Sequence, residues 1–304
     1  MKQVLVTGAT GFTGSHVVPL LLQAGYEVRC FARPSSDRKS LSSFNVEWAS
    51  GDLGDTDSLK AAMAGMDILA NIASIGFGHA PNIVNAAVDS GVKRAVFIST
   101  TALFTTLKAP SKAVRSAAEA TIRNSLLDCT ILRPTMIYGT TRDRNMCRLI
   151  RYLRNYPAIP IIGNGECLQQ PVYVEDLARA IVKVLATENT LRKAYNTPGA
   201  KALTMNQVVD TISELLGRRV KKVHLPAAPF VKGLAFLERS GVTLPIKAEQ
   251  ILRLNEDKAF SFDEAARDFG YKPLCFQEGI GREIEAMGYN PQITQITRIN
   301  GRKN

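Results

Sequence analysis

The sequence is poor in the residues that build metal centres and disulfide frameworks. It has three histidines and five cysteines in 304 residues, and the cysteines at 30, 129, 147, 167 and 275 form no Cys-x-x-Cys pair. No metal site is expected, and the cysteines read as buried free thiols of a reducing compartment. Long apolar runs are missing too. Nothing approaches the ~20 residues that a membrane-spanning helix needs. No leader-like segment precedes the first strand, since Met1-Lys2-Gln3 runs straight into Val4-Leu5-Val6, and a cytoplasmic protein is expected. Acidic residues are the minority, 27 Asp and Glu against 38 Lys and Arg, leaving a net charge of +11. That sign favours anionic partners, among them nucleotide phosphates and an anionic membrane surface contacted peripherally. No nucleic-acid recognition motif accompanies the charge, so neither nucleic-acid binding nor redox-sensing regulation of DNA is expected. Part of the excess is concentrated in Arg142, Arg144, Arg148, Arg151 and Arg154. A helix over 142–154 puts Arg144, Arg148 and Arg151 on one face, either solvated or in contact with phosphate or membrane.

What is present is a strand–helix rhythm. Residues 2–7, 26–31, 46–49, 67–71, 94–99 and 130–133 are short apolar runs that suit buried parallel strands. Helical patterns over 11–24, 56–64, 81–90 and 111–125 separate them, with Thr56 as the expected N-cap of the second and Gly25 and Gly91 as stops. Such alternation demands a doubly wound α/β fold with a parallel sheet. After about residue 135 the rhythm loosens into helices over 142–154, 176–186 and 204–216, a strand over 220–225 and a Pro-punctuated, helix-rich stretch from 226 to 245 and onward. The expected organisation is a Rossmann domain over 1–135, its sheet completed by segments near 158–200. A smaller mixed α/β substrate lobe over 136–290 and a poorly ordered tail over 291–304 follow.

The turn after the first strand carries the chemistry. Thr7-Gly8-Ala9-Thr10-Gly11-Phe12-Thr13-Gly14 places glycines at 8, 11 and 14 between an apolar strand and a helix, the context that a dinucleotide-binding turn requires. Gly8 permits the sharp turn, Gly11 lets backbone amides approach a pyrophosphate, and Gly14 lets the helix pack closely. No Gly-Lys-Ser/Thr follows, which excludes a triphosphate-binding P-loop. Strand two ends Arg29-Cys30-Phe31-Ala32-Arg33, with Arg38 and Lys39 beyond and no acid until Asp37. An acid there would bind a ribose 2′-hydroxyl, whereas cations suit a 2′-phosphate, so NADP is expected with NAD as the alternative. Arg33 can otherwise stack on adenine and accept both. Asp52, in Gly51-Asp52-Leu53, is placed to accept from the adenine amino group.

The turn, with Gly51-Asp52-Leu53, resembles the short-chain dehydrogenase/reductase superfamily in its extended and atypical branches, the epimerase/dehydratase-like members. Phe97-Ile98-Ser99-Thr100 resembles the end of the family's strand five, with Thr100 at the catalytic Ser/Thr position. Leu132-Arg133-Pro134-Thr135-Met136-Ile137-Tyr138-Gly139 resembles the loop beside the nicotinamide. Pro171-Val172-Tyr173-Val174-Glu175-Asp176 resembles the segment closing the substrate pocket, and Phe269-Gly270-Tyr271-Lys272-Pro273 the family's carboxy-terminal motif. The resemblance implies cofactor contacts from Gly8, Thr10, Gly11, Phe12, Thr13, Gly14, Arg33, Asp52, Leu53, Ala73 and Pro134. Catalytic candidates at the matched positions are Thr100, Tyr138, Tyr173 and Arg115.

The departures are informative. The family's proton relay is a Tyr with a Lys four residues on; the aligned positions hold Ser111 and Arg115, and none of the eight tyrosines has Lys four residues later. The Asn and Arg that grip nucleotide sugars correspond to Met136 and Gln169. The segment after strand four, Ser74 to Ala80, is short. These features, with Leu244-Pro245 to Lys258-Ala259-Phe260, resemble relatives of the nucleotide-binding accessory subunit of respiratory complex I. In that subunit the nucleotide is structural. The expected function is an NAD(P)-binding oxidoreductase or epimerase-like enzyme that acts without the relay on a carbonyl or hydroxyl substrate, such as a nucleotide sugar or quinone. The alternative is a non-catalytic NADP(H)-binding structural or sensor protein with a quinone, lipid or protein partner.

Overall fold

The computed structural model describes residues 1–107, 110–227, 229 and 256–291. The chain divides into two compact units. The first is Met1–Thr135 with Val174–Pro198 and Ser261–Pro273; the second comprises the described parts of Met136–Tyr173, Gly199–Phe260 and Leu274–Asn304. The helix-rich reading beyond residue 229, the family-like stretch up to residue 255 and the tail from 292 lie outside the described residues.

In the first unit, β1 (Gln3–Thr7), β2 (Glu27–Ala32), β3 (Glu47–Ser50), β4 (Ile68–Asn71), β5 (Arg94–Ile98), β6 (Asp128–Pro134) and β11 (Ala194–Thr197) form one sheet. Its order is β11-β6-β5-β4-β1-β2-β3, with every pairing parallel. This is the doubly wound order, reversing direction between β1 and β4, where ligands of such sheets sit at the carboxyl ends of the strands. Strand residues Val4, Leu5, Val6, Leu69, Ala70, Ala95, Val96 and Phe97 are fully buried. That explains why these strands read as continuous apolar runs rather than alternating ones. Helices α1 (Gly14–Gln23), α2 (Thr56–Met63), α3 (Ala80–Asp89), α4 (Pro110–Arg123) and α6 (Val174–Leu185) connect or flank the strands, and α8 (Asp263–Phe269) joins the same unit. Two expected boundaries are corrected. α1 begins at Gly14, not Gly11, because 8–13 are spent on the turn. The N-cap of α2 is Asp55, not Thr56: its carboxylate accepts from the amides of Asp57 and Ser58, a stronger cap than a hydroxyl one residue later.

Arg94 braces the far end of this sheet. Its guanidinium donates to the carbonyls of Ala95 (3.1 Å), Asp128 (2.8 Å) and Val184 (2.8 Å) and to the hydroxyls of Thr130 (2.6 Å) and Thr190 (2.9 Å). Burial lowers its pKa from the usual arginine value, yet a guanidinium stays charged. Leucine at this position leaves several buried acceptors without a donor, so Arg94→Leu is expected to cost about 3 kcal/mol in urea unfolding. An unchanged midpoint contradicts the brace.

In the second unit, short strand pairs frame a helical core. β7 (Ile137–Tyr138) pairs in parallel with β10 (Val172–Tyr173), β9 (Leu168–Gln169) antiparallel with β12 (Leu203–Thr204), and β8 (Ala158–Ile162) in parallel with β13 (Lys221–Leu225). Helices α5 (Met146–Asn155), α7 (Met205–Leu215) and α9 (Phe276–Ala286) bury Ile150, Leu153, Val208, Ile212, Ile280 and Ile284 together. α5 starts at Met146, so Arg142 and Arg144 precede it, and the expected shared helical face narrows to Arg148 and Arg151. Among the described residues no helix is long and apolar enough to cross a membrane.

Candidate functional site

The carboxyl ends of β1 to β4 converge on a cavity of about 310 Å³, a size within the range of small-molecule sites. Its construction begins with a buried pair: the Thr7 hydroxyl donates to Asn71 Oδ1 (2.7 Å), and Asn71 Nδ2 donates to the Ala73 carbonyl (3.0 Å). These bonds hold the ends of β1 and β4 together. Gly8 follows at φ +70°, and a Cβ there would stand 2.7 Å from the Ala73 amide nitrogen. Only glycine fits the turn. Gly14 seats the first turn of α1 against the same loop, since its Cβ would lie 2.2 Å from the Gly8 carbonyl oxygen. Between them the Gly11 amide donates to Gly8 O (3.0 Å), and Gly11 itself is exposed at the cavity.

Of the expected cofactor contacts, Gly8, Thr10, Gly11, Arg33, Asp52, Leu53 and Ala73 line this cavity. Phe12, Thr13 and Gly14 lie just past the lining, at the entry to α1. Pro134 ends β6, and its carbonyl accepts from the Thr101 hydroxyl (3.3 Å). Arg33 is exposed at the end of β2, its carbonyl accepting from the Ser36 amide (2.9 Å) in a tight turn that puts Ser36 in the same wall. Arg38 is spent elsewhere: it donates to Ser50 Oγ (3.0 Å) and lies 4.6 Å over the Trp48 ring. Asp37 caps the Lys39 amide (2.9 Å). Among the described residues the only carboxylate lining the cavity is that of Asp52, whose Oδ1 accepts from the Gly54 amide (2.8 Å). Sequence reasoning missed Ser36, Ser74, Phe77 and His79, which line the wall together with Phe31, Ala32 and Gly51. The signal of the missed residues was faint, since each sits on a connecting segment and declares itself only when the strand ends are brought together.

The catalytic candidates are placed less favourably for chemistry. The Thr100 hydroxyl accepts from the Ala102 amide (3.1 Å), capping a 3-10 turn. Tyr138 and Tyr173 belong to the hydrophobic core of the second unit, with rings 5.7 Å apart and Tyr138 packed on Phe276 at 5.5 Å. Ser111 and Arg115 are half-buried on α4, Arg115 beside Gly76. Near them Arg133 grips the buried Glu119 in a bidentate pair, with Nε–Oε1 at 2.9 Å and the second nitrogen on Oε2 at 2.5 Å. Burial pushes the Glu119 carboxyl up, but the bonds and charge of Arg133 outweigh it and hold it below the usual carboxylate range. It is an ion-pair anchor, not a proton donor. Gln169, at the sugar-gripping position, is buried and accepts from Lys258 Nζ (3.3 Å). Cys30, Cys129 and Cys147 are buried, Cys167 is half-buried, and Cys275 is exposed, contrary to the expected burial. Burial pushes the Cys30 thiol up to about 12, against the opposing charge of Arg38, and leaves it unreactive.

A family model described as NAD(P)H-binding matches residues 8–188. The chain belongs to this NAD(P)H-binding family. It is 29% identical over 297 residues to NADH dehydrogenase (ubiquinone) 1 alpha subcomplex subunit 9, mitochondrial, of Arabidopsis thaliana, a match covering 88% of this chain and 71% of that protein. It is 26% identical over 326 residues to a 3 beta-hydroxysteroid dehydrogenase/Delta 5-->4-isomerase of Mycobacterium tuberculosis, covering 90% of this chain and 87% of that one. Among solved structures, UDP-glucose 4-epimerase of Thermotoga maritima superimposes with a TM-score of 0.74 at 20% identity, over 94% of this chain and 98% of its own. The likeness to extended and atypical short-chain dehydrogenase/reductases is upheld, with the complex I subunit among the relatives and an epimerase among the structural neighbours.

Proposed function

We propose that the chain is an NADP(H)-binding protein that holds the dinucleotide as a resident ligand in the β1–β4 cavity. Gly8, Gly11 and Gly14 clear the approach, the amides of Phe12 and Thr13 at the entry to α1 face the pyrophosphate, and Asp52 with Leu53 and Ala73 bounds the adenine side. The observation that carries the phosphate preference is Arg33. Among the described residues it is the arginine on the cavity wall, with Ser36 beside it in the lining, while no carboxylate from the end of β2 lines the wall to bind a 2′-hydroxyl. The fit is that of a glycine cradle which a Cβ would fill. When bound, the nicotinamide supplies hydride chemistry; this chain's residues bind, orient and enclose. Residency rather than turnover is supported by the replacement of the relay Tyr and Lys by Ser111 and Arg115, and by the commitment of Tyr138, Tyr173 and Glu119 to packing and pairing. A protein, quinone or lipid partner suits such a role.

A second reading, an oxidoreductase or epimerase-like enzyme acting on a carbonyl or hydroxyl substrate, is favoured by the steroid-dehydrogenase relative. Thr100, at the matched position, is then the hydroxyl nearest the reacting atoms. The test has two parts. Arg33→Asp is expected to weaken NADPH binding by roughly 10- to 100-fold, the worth of one or two charge-assisted bonds, while NADH binding holds or improves. Equal affinities before and after the change contradict the 2′-phosphate assignment. NADPH oxidation is then followed with carbonyl, quinone and nucleotide-sugar panels. Turnover with any of them moves the conclusion to the second reading.

A further inference from the structure

The outward face of α5 carries charge that the described residues of its unit leave uncompensated. α5 buries Met146, Cys147, Ile150 and Leu153, so its apolar stripe is already used. Exposed on the other side are Arg148, Arg151 and Arg154, with Arg144 just before the helix and not one acid within it. Elsewhere several guanidinium groups are paired with carboxylates: Arg29 with Glu47, Arg133 with Glu119, Arg179 with Asp176, Arg192 with Asp128, Arg282 with Glu278. Among the described residues Arg144, Arg148 and Arg151 have no such partner, and Arg154 lies over the Tyr289 ring at 3.9 Å. At the carboxyl end of the helix Tyr152 and Tyr156 stack at 4.6 Å, with Tyr156 53% exposed. Pro157 follows, and its carbonyl accepts from the Lys221 amide (2.9 Å), which brings exposed Arg218, Arg219 and Lys221 to the same end.

We propose that this face docks on an anionic phospholipid surface. The cations of α5 are strung along the exposed side of a helix about 15 Å long, a spread that matches a plane of head groups better than a single phosphate. Guanidinium groups with tyrosines at one end suit that plane, because tyrosine settles at the head-group level and each arginine near the surface strengthens attachment. A basic helix face without a nucleic-acid recognition motif is a poor reader of nucleic acid. The proposal stands apart from the nucleotide reading, because its residues are all in the second unit.

The test is flotation of the full chain with phosphatidylglycerol-rich vesicles and with pure phosphatidylcholine vesicles. Binding is expected only to the anionic vesicles and only at low salt. Arg148→Glu with Arg151→Glu is expected to lower the partition coefficient by at least roughly 30-fold, with thermal unfolding and NADPH affinity unchanged. The same charge change in the first unit, at Lys2 and Lys93, is expected to leave flotation near that of the wild type. Failure of the wild type to float overturns the proposal. So does equal flotation of the α5 variant, equal loss in the Lys2 and Lys93 variant, or displacement of the vesicles by duplex DNA at comparable concentration.

Discussion

Gly11→Val yields a folded protein that has lost NADPH. A Cβ at Gly11 meets only the Gly8 carbonyl oxygen, at 3.1 Å, and the position is exposed, so the side chain points where the ligand would lie and not into the core. Shielding the Phe12 and Thr13 amides removes two charge-assisted bonds at about 1.5–3 kcal/mol each, which lowers affinity about 100-fold or more. Gly14 provides the contrast. Its Cβ would stand 2.2 Å from Gly8 O and 2.7 Å from Ala9 Cα, so Gly14→Ala strains the helix–turn junction and is expected to cost about 1–3 kcal/mol of stability. Calorimetric NADPH titration and urea unfolding separate the two effects. A Gly11→Val protein that binds like the wild type contradicts the cradle.

The second large effect lies in the other unit and concerns pH. Glu283 on α9 is fully buried against Asp143, whose Oδ1 accepts from the amides of Asn145 (2.8 Å) and Cys147 (3.2 Å). Both Glu283 oxygens and Asp143 Oδ2 lack a donor among the described residues, as expected where the buried Glu283 carboxyl keeps its own proton. Burial first, then the bond and charge of Asp143, push the Glu283 carboxyl from 4.5 up to about 10. The folded pKa is thus raised above the unfolded one. Stability is whole below the unfolded pKa of 4.5 and declines as pH rises towards about 10. The slope is about 1.4 kcal/mol per pH unit, or about 4 kcal/mol between about pH 5 and about pH 8. Glu283→Gln keeps the shape, offers Asp143 a donor without ionising, and is expected to remove that slope and leave the protein more stable near about pH 8. Parallel slopes for wild type and variant in denaturant unfolding across this range contradict a protonated Glu283.

The strands read from sequence, β1 to β6 and β13, are all present, and the buried runs of β1, β4 and β5 needed no partner to be seen. β11 was harder. Ala194-Tyr195-Asn196-Thr197 has no apolar run, and it becomes a strand because β6 offers it an edge. Arg144 read as part of a basic helical face, but Asp143 turns inward to cap the Asn145 and Cys147 amides, which delays the start of α5. The glycine turn, Arg33 and Asp52 were legible because strand–turn–helix spacing alone determines their place. Ser36, Ser74, Phe77 and His79 were not, because they reach the cavity from segments whose course depends on how the strand ends pack. The Asp143–Glu283 pair was invisible for the same reason: a contact between residues so far apart in sequence leaves no local pattern.

The central claim is that the β1–β4 cavity holds a phosphorylated dinucleotide. Isothermal titration with NADPH, NADP+, NADH and NAD+ tests it most directly. One site per chain is predicted, with NADPH bound at least about 10-fold more tightly than NADH. Absence of heat with all four nucleotides, in protein shown to carry none from purification, contradicts it.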